Sequence, residues 1–441
     1  MTPVLRANKS EARSRQRSGV RGIFIGRPSF SLLDTAASVS FYRTRYHAGV
    51  VKAGVLRAFL ISGFLLALPG GLLPLWGYHV HPEFGTAGNY FLALGVGLAG
   101  SMALARLLAG RCHADRLLTA GCFTASLALL MLTVAAPPAQ VWYQALCCFV
   151  TGAAAGLING AIFESIGAAW EADPAGVTLQ GGIYFGAGSV AASLLMVWCF
   201  GGDTIEDTSA GRIFAICAIF PVAGALAFRS YRMASQGAGA VPPTAAGSDA
   251  AMRDRRTVLA ILFGFLLFFQ FANEWSIAGW LPVYLIDRLG MSPSGALTLL
   301  AIYWAALTAG RIGAVALAKV MPHGRLLSIS AFCALFGGTA VAASDTRGGV
   351  VVGVLLMGAG FSAIVPLASE RIATRFVGYH PGYFSGLFMF AMSGGIFAMF
   401  VLGHLAGAWG LRVVPLSAML GSCAVIGLIL VIRLGRKVSG N

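Results

Sequence analysis

The chain has 441 residues, of which 57% are hydrophobic and only 11% are charged. Soluble globular proteins carry about 25% charged residues, so this composition excludes a disordered chain and argues against a soluble enzyme. The formal net charge of +15 does not indicate a nucleic-acid partner, because eleven of the 31 basic residues lie in the first 57 positions and most others lie in short loops between apolar runs. The sequence therefore predicts a membrane protein with several spans.

Residues 1–52 are rich in Arg and Ser and contain only two acids, Glu11 and Asp34. They lack the apolar core of a signal peptide, so we interpret them as a basic cytoplasmic tail. An over-long gene start and a transit-like peptide are the alternatives.

Twelve stretches after this tail are long and apolar enough to cross a membrane as helices, which requires about 20 residues. They cover 54–77, 87–109, 116–136, 141–163, 177–200, 210–228, 257–285, 292–317, 325–343, 348–369, 382–405 and 412–433. The predicted fold is an all-α membrane protein with twelve transmembrane helices in two pseudo-symmetric six-helix bundles, 53–228 and 257–433. The polar segment 229–256 is a predicted cytoplasmic linker, and 434–441 a cytoplasmic C-terminal tail.

The basic residues predict the orientation of these spans. If the N-terminus is cytoplasmic, 27 of the 31 Lys and Arg lie on the inside, and only Arg212, Arg288, Arg347 and Arg412 lie outside. This positive-inside bias predicts a multi-pass protein of the plasma (inner) membrane with both termini in the cytoplasm.

The two predicted bundles resemble each other in sequence. Residues 107–111 (LLAGR) match 307–311 (LTAGR) on the second and eighth spans. Gly152 and Glu164 bracket the fourth span in the same way as Gly358 and Glu370 bracket the tenth. A duplicated six-helix unit predicts two bundles that face each other across a central cavity, which is the geometry of alternating access. A rival register aligns 99–100 with 309–310 and places Arg311 opposite Ser101.

The loop at 110–116 (GRCHADR) is similar to the loop between the second and third helices of the major facilitator superfamily, with one extra residue between Gly110 and Asp115. Residues 54–433 therefore resemble this superfamily of transporters. Residues 273–281 (NEWSIAGWL), Asn159 and 360–366 (GFSAIVP) are similar to its fucose and glucose/galactose permease branch. The resemblance implies a functional acid at Glu274. Two other acids of fucose permease have no counterpart, because Ala155 lies one turn before Asn159 and 58–77 contains no acid.

Glu274 is the strongest candidate for a functional residue. Among the acids in or near the spans, only Glu274 is flanked by long apolar runs on both sides. An ionisable side chain deep in a bilayer is costly, so it indicates function. Burial favours the neutral form of a carboxyl and a hydrogen-bonded cargo can reverse this, so Glu274 could carry a proton or bind cargo hydroxyls. The alternative is a structural hydrogen bond between helices.

Other candidates for proton or substrate binding are amides and aromatic side chains within the spans. Gln270 lies four residues before Glu274 on the seventh span, and Asn273 is its direct neighbour. The remaining candidates are Asn159, Gln180, Tyr184, Tyr303 and Trp304. Amides bind sugar hydroxyls and ring faces stack on sugar CH groups. Each of these residues could instead contribute only to packing.

Five residues near the predicted cytoplasmic ends of spans are candidates for a gate: Arg111, Asp115, Glu164, Arg311 and Glu370. The repeat predicts an ion pair between Arg111 and Glu164. By the same symmetry, Arg311 would pair with Glu370. In the rival register, Arg311 faces the cavity and binds an anionic solute, and Arg371 takes its place as the partner of an acid.

These features predict a secondary transporter that moves a small polar organic solute, for which a monosaccharide is one candidate, with a proton as coupling ion. The alternative is an exporter of amphipathic drugs or metabolites by proton antiport. A membrane enzyme or receptor would need a catalytic constellation or a soluble domain, and the sequence offers neither. We expect no cofactor and no metal, since the seven His and eight Cys form no metal motif. We also expect a monomer.

Overall fold

The computed structural model describes residues 53–108, 111–200, 207–230, 250–375 and 381–437. The predictions made for the tail 1–52, for Gly110 and for linker residues 231–249 lie outside the described residues. The described residues are almost entirely helical.

The N-terminal half contains eight described helices: five long ones, one short connecting helix, and a final pair that together cover the sixth predicted span. They are α1 (Ala53–Leu75), α2 (Phe84–Leu108), α3 (Ala114–Leu132), α4 (Val141–Ser165), α5 (Gly167–Ala172), α6 (Pro174–Cys199), α7 (Asp207–Cys217) and α8 (Ile219–Ser230).

The C-terminal half has seven described helices. Its helices are α9 (Ala250–Leu289), α10 (Pro293–Val320), α11 (His323–Ala343), α12 (Arg347–Ser362), α13 (Ile364–Arg375), α14 (Pro381–Trp409) and α15 (Val413–Lys437). Helix α9 begins inside the predicted linker, and α15 extends into the predicted C-terminal tail.

Within the described ranges, eleven helical segments are long and apolar enough to cross a membrane. The sixth predicted span is instead divided into α7 and α8, and the tenth is interrupted between α12 and α13. A proline follows each break at the same distance. Proline lacks an N–H and its ring clashes with the carbonyl four residues earlier. Helix α7 ends at Cys217, four residues before Pro221, and α12 ends at Ser362, four residues before Pro366.

Glycines let the helices of each half approach closely. A Cβ at Gly152 of α4 would lie 1.9 Å from the carbonyl oxygen of Leu94 on α2. A Cβ at Gly63 of α1 would lie 1.9 Å from the carbonyl oxygen of Phe185 on α6. Small residues at these positions permit backbone-to-backbone packing, which replaces the hydrophobic effect as the source of helix association in lipid.

A neutral hydrogen-bond network joins the helices of the N-terminal half at the end away from the start of α1. Tyr90 donates to Oε1 of Gln144 at 2.5 Å, and Gln144 Nε2 donates to the carbonyl of Ala135 at 2.9 Å. The hydroxyls of Tyr78 and Tyr90 are 2.7 Å apart. Burial raises the pKa of Tyr78, which lies in the turn after α1, so its hydroxyl stays neutral and can donate.

The two halves meet mainly where α2 packs against α14 and α6 against α10, with further contacts of α1 with α9, α6 with α13 and α4 with α14. We call the end of the bundle at which α1 begins the predicted cytoplasmic end, and the opposite end the predicted outer end. The candidate site lies between these ends, where α9 and α10 approach α6.

Candidate functional site

Glu274 of α9 and Arg311 of α10 form a buried ion pair. Oε2 of Glu274 lies 3.6 Å from Nη2 of Arg311. The residues are only 3% and 7% exposed. A single charge at the centre of a transmembrane helix costs about 2.5–3.5 kcal/mol on insertion scales. A buried pair of opposite charges is therefore a candidate functional site.

Neighbouring polar groups hold the Glu274 carboxylate in place. Gln270, one helical turn earlier on α9, donates from Nε2 to Oε1 of Glu274 at 2.9 Å. The same Nε2 lies 3.4 Å from the carbonyl of Phe361, near the end of α12. The hydroxyl of Tyr303 donates to the backbone carbonyl of Glu274 at 3.1 Å. The sequence-predicted residues Gln270, Glu274 and Tyr303 are thus brought together.

Arg311 connects this cluster to the N-terminal half. Its Nη1 donates to the carbonyl of Gly182 on α6 at 2.5 Å. A Cβ at position 182 would lie 3.0 Å from Cδ and from Nε of Arg311. The guanidinium therefore lies flat against a helix surface that has no side chain at this point. Gly182 and Gly186 form a GxxxG spacing, and this was the signal in the sequence that could have identified the contact.

A narrow cavity lies between the two halves, and neither Glu274 nor Arg311 is among the residues that line it. It is lined by residues of α1, α2 and α6 on one side and of α9, α10 and α14 on the other, and it has room for about one water molecule. Trp275, Trp304 and Phe185 are its aromatic walls. Trp304 is 2% exposed, and its indole Nε1 has no hydrogen-bond partner among the described residues. Sequence reasoning missed Trp275 and Phe185.

The halves touch at both ends of this cavity. At the predicted outer end, a Cβ at Gly70 of α1 would lie 2.2 Å from the carbonyl oxygen of Ala278 on α9. At the predicted cytoplasmic end, the rings of Phe163 and Phe388 have centroids 5.0 Å apart. The rings of Trp170 and Phe384 are 4.8 Å apart, also at this end. The structure is therefore a conformation in which the halves meet above and below the site.

Two predicted amides lie in different surroundings. Asn159 of α4 donates from Nδ2 to the hydroxyl of Ser62 at 2.7 Å and to the carbonyl of Ala155 at 2.8 Å, inside the N-terminal half. Asn273 points towards α15, where a Cβ at Gly421 would lie 1.9 Å from its Oδ1. Although Asn273 is adjacent to Glu274 in sequence, one residue of helix rotates its side chain by about 100°, away from the pair.

Tyr184 is not brought to the site. It is 38% exposed and lies on the same stripe of α6 as Leu194 and Trp198, which are also exposed. This stripe faces outward from the bundle, whereas Gly182 and Gly186 face α10. Tyr184 is thus not among the residues that line the cavity in this conformation, and its role in binding stays a prediction. Gln180, one turn earlier on α6, is half-buried.

The predicted pairing of the gate residues differs from the structure. Arg311 contacts Glu274, and Glu370 instead lies 3.1 Å from Nδ1 of His323, the first residue of α11. Arg311 therefore follows the rival register, in which it faces the interior. His323 carried no signal in the sequence, because it lies before the predicted ninth span, which begins at Arg325.

The remaining gate candidates lie at the predicted cytoplasmic end. Arg111 is exposed, and Asp115 and Glu164 are half-buried. Of the ion pairs between described residues, none joins Arg111 to Glu164, so the pair predicted from the repeat is not formed in this conformation.

The chain is similar in sequence and in fold to known transporters. No family model matches the chain. The chain is 26% identical over 339 residues to an uncharacterized MFS-type transporter of Yersinia pestis, and this match covers 74% of this chain and 82% of that protein. It is 30% identical over 151 residues to an uncharacterized transporter of Sinorhizobium fredii, covering 34% of this chain and 40% of that protein.

Two solved transporters have a similar fold. The E. coli fucose:proton symporter FucP superposes with a TM-score of 0.53 at 16% identity, covering 85% of this chain and 97% of that one. The nucleoside transporter NupG superposes with a TM-score of 0.57 at 15% identity, covering 87% of this chain and 99% of that one. These comparisons confirm the resemblance to the major facilitator superfamily and the predicted fold class.

Proposed function

We propose that this chain, which has the major facilitator fold and is a homologue of an MFS-type transporter, is a secondary active transporter that moves a small polar organic solute together with a proton. The buried carboxyl of Glu274 carries this proposal. It lies within a membrane-spanning helix, is paired with Arg311, and is linked through Arg311 to the opposite half.

The geometry around Glu274 supports proton coupling. A buried carboxylate that loses its cationic partner becomes costly, so it takes up a proton instead. Arg311 bonds to the carbonyl of Gly182 on the other half, so a movement of α6 against α10 changes the surroundings of the pair. Protonation of Glu274 is in this way tied to the relative position of the two halves, which is what a coupled transporter requires.

The fold neighbours support a polar cargo. The solved neighbours are a fucose:proton symporter and a nucleoside transporter. A monosaccharide is therefore one candidate cargo, and the aromatic walls formed by Trp275 and Trp304 suit it. As part of the same proposal, the protein acts as a monomer in the plasma (inner) membrane with both termini in the cytoplasm.

The test is uptake into proteoliposomes that contain the full chain. An imposed pH gradient, acidic on the outside, is expected to drive accumulation of at least one member of a panel of monosaccharides, nucleosides and sugar acids. Glu274→Gln is expected to abolish accumulation against a gradient while retaining exchange of labelled for unlabelled solute. Glu83→Gln is the matched control, because Glu83 is an exposed glutamate in the loop before α2. Gradient-driven accumulation that Glu274→Gln leaves intact would refute the assignment.

A further inference from the structure

Arg311 has unused hydrogen-bonding capacity at the surface where the two halves part. A guanidinium has five N–H donors and stays charged in proteins. With the described residues, Arg311 makes one hydrogen bond, from Nη1 to Gly182. Its contact with Glu274, at 3.6 Å, is longer than the roughly 2.7–2.9 Å of a charge-assisted hydrogen bond. A well-placed anion could therefore bind Arg311 more closely than Glu274 does.

A second donor lies on the same face of α10. Trp304 precedes Arg311 by seven residues, which is two helical turns, so the two side chains project in nearly the same direction. Its indole N–H is buried in the cavity wall without a partner among the described residues. Arginine and indole both donate and accept nothing. The face of α10 that lines the interface therefore presents donors, which suits a cargo that brings acceptors.

We infer that the cargo is a small organic acid whose carboxylate replaces Glu274 on Arg311, while Trp304 donates to a second polar group of the same molecule. This inference rests on the transport function proposed above. The exchange is balanced in charge. Glu274 leaves the guanidinium and takes one proton from water, and the cargo brings one negative charge, so the site is neutral before and after. One carboxylate and one proton then cross together, and the transport step moves no net charge.

The decisive probes are acids and neutral sugars with the same ring. Glucuronate and galacturonate each carry a carboxylate where glucose and galactose carry a hydroxymethyl group. A hydrogen bond to a charged partner corresponds to a difference of about tenfold or more in affinity, so the acids are expected to bind at least tenfold more tightly than the neutral sugars. Lactate tests whether the carboxylate alone is sufficient.

The experiment uses the full chain in proteoliposomes with the membrane potential clamped by potassium and valinomycin. Uptake of labelled glucuronate, galacturonate or lactate is expected to follow the pH gradient and to be unaffected by the potential. Uptake of glucose or galactose without uptake of any acid would overturn the inference and leave the proposed transport function standing. Absence of gradient-driven uptake for all five compounds, and also for the nucleosides of the panel above, would overturn both.

Variants of Arg311 test its role directly. Arg311→Gln is expected to reduce acid uptake at least tenfold, and Arg311→Lys to retain part of it, since a lysine keeps the charge but loses the planar fork. Arg325→Gln is the control, because Arg325 is an exposed arginine at the start of α11. The double variant Glu274→Gln/Arg311→Gln has no buried charge to destabilise the fold, so binding is also measured there, by protection from thermal unfolding. Protection of this variant by an acid as strong as that of the unsubstituted chain would overturn the assignment.

Discussion

The two halves share a helix pattern but place different chemistry at the surface where they meet. In the N-terminal half, Asn159 and Ser62 form a neutral, buried hydrogen bond between two helices. The C-terminal half contributes the buried charges Glu274 and Arg311. Facing them, the N-terminal half presents the bare backbone at Gly182. The halves therefore share a helix pattern but differ in charge, because the buried ion pair lies on the C-terminal side and glycine backbone faces it from the N-terminal side.

This difference between the halves is tested most severely by removing one charge at a time. Glu274→Leu leaves a guanidinium that cannot lose its proton, so we expect the free energy of unfolding to fall by about 3–5 kcal/mol. Arg311→Leu leaves a carboxyl that can take up a proton and keep its bond to Gln270, so we expect a loss of about 1–3 kcal/mol. The double variant Glu274→Leu/Arg311→Leu should return to within about 1 kcal/mol of the unsubstituted chain. Unfolding in detergent micelles measures all three, and losses that simply add in the double variant would contradict the pair.

The close contact between α6 and α10 is tested at Gly186, one turn after Gly182 on α6. A Cβ there would lie 2.0 Å from Oγ1 of Thr308 on α10. We expect Gly186→Ala to lower the free energy of unfolding by about 1–3 kcal/mol, because the added methyl overpacks the contact between the halves. Thr308→Ala in the same chain removes the clashing hydroxyl and should restore most of the loss.

The control for this substitution is Gly313→Ala on α10, since a Cβ at Gly313 would meet no atom within 4 Å. Thermal unfolding of the purified variants provides the comparison. A loss that persists when Thr308→Ala is combined with Gly186→Ala would show that α6 and α10 do not meet at this point.

The smallest effect is expected in the neutral network of the N-terminal half. Ser62→Ala removes the acceptor of the 2.7 Å bond from Asn159, which retains its bond to the carbonyl of Ala155. Interhelical hydrogen bonds in membranes contribute about 0.6 kcal/mol on average and at most about 1.7 kcal/mol. Ser417→Ala, whose hydroxyl bonds only within its own helix at 2.7 Å, is the matched control and should change stability less. A loss at Ser62 as large as that at Glu274 would remove the distinction between the halves.

The sequence predicted the fold well because a bilayer imposes a simple rule on each span. Apolar length alone predicts the positions of the helices. The length of an apolar run did not predict where a helix is interrupted. The interruptions near Pro221 and Pro366 divide two predicted spans, since each proline removes one backbone hydrogen bond and displaces the preceding turn.

The site was predicted less completely, because a long apolar run does not show which face of its helix points to the protein interior and which points to lipid. Glu274, Gln270 and Tyr303 were identified and lie together. Tyr184 was expected in the cavity and faces outward, since lipid and protein interior both accept an aromatic ring. The internal repeat predicted that Arg311 pairs with Glu370, but the two repeats differ in spacing at this point. Only the rival register predicted that Arg311 faces the interior.

The two ends of the cavity differ in whether main chain takes part in the close contacts between the halves. At the predicted outer end, backbone meets backbone, and a Cβ at Gly88 of α2 would lie 2.8 Å from the carbonyl oxygen of Phe400 on α14. Rings also meet at this end, where the centroids of Phe84 of α2 and Trp280 of α9 lie 6.1 Å apart. Main chain within a helix has no rotamer to change, so the backbone contacts separate only when one helix moves relative to the other. At the opposite end, the rings of Phe163 and Phe388 can swing about χ1 without displacing their helices. In the transport cycle proposed above, separation of the halves at the outer end therefore requires a helix to move, whereas the ring contacts at the opposite end can loosen first by changes of rotamer.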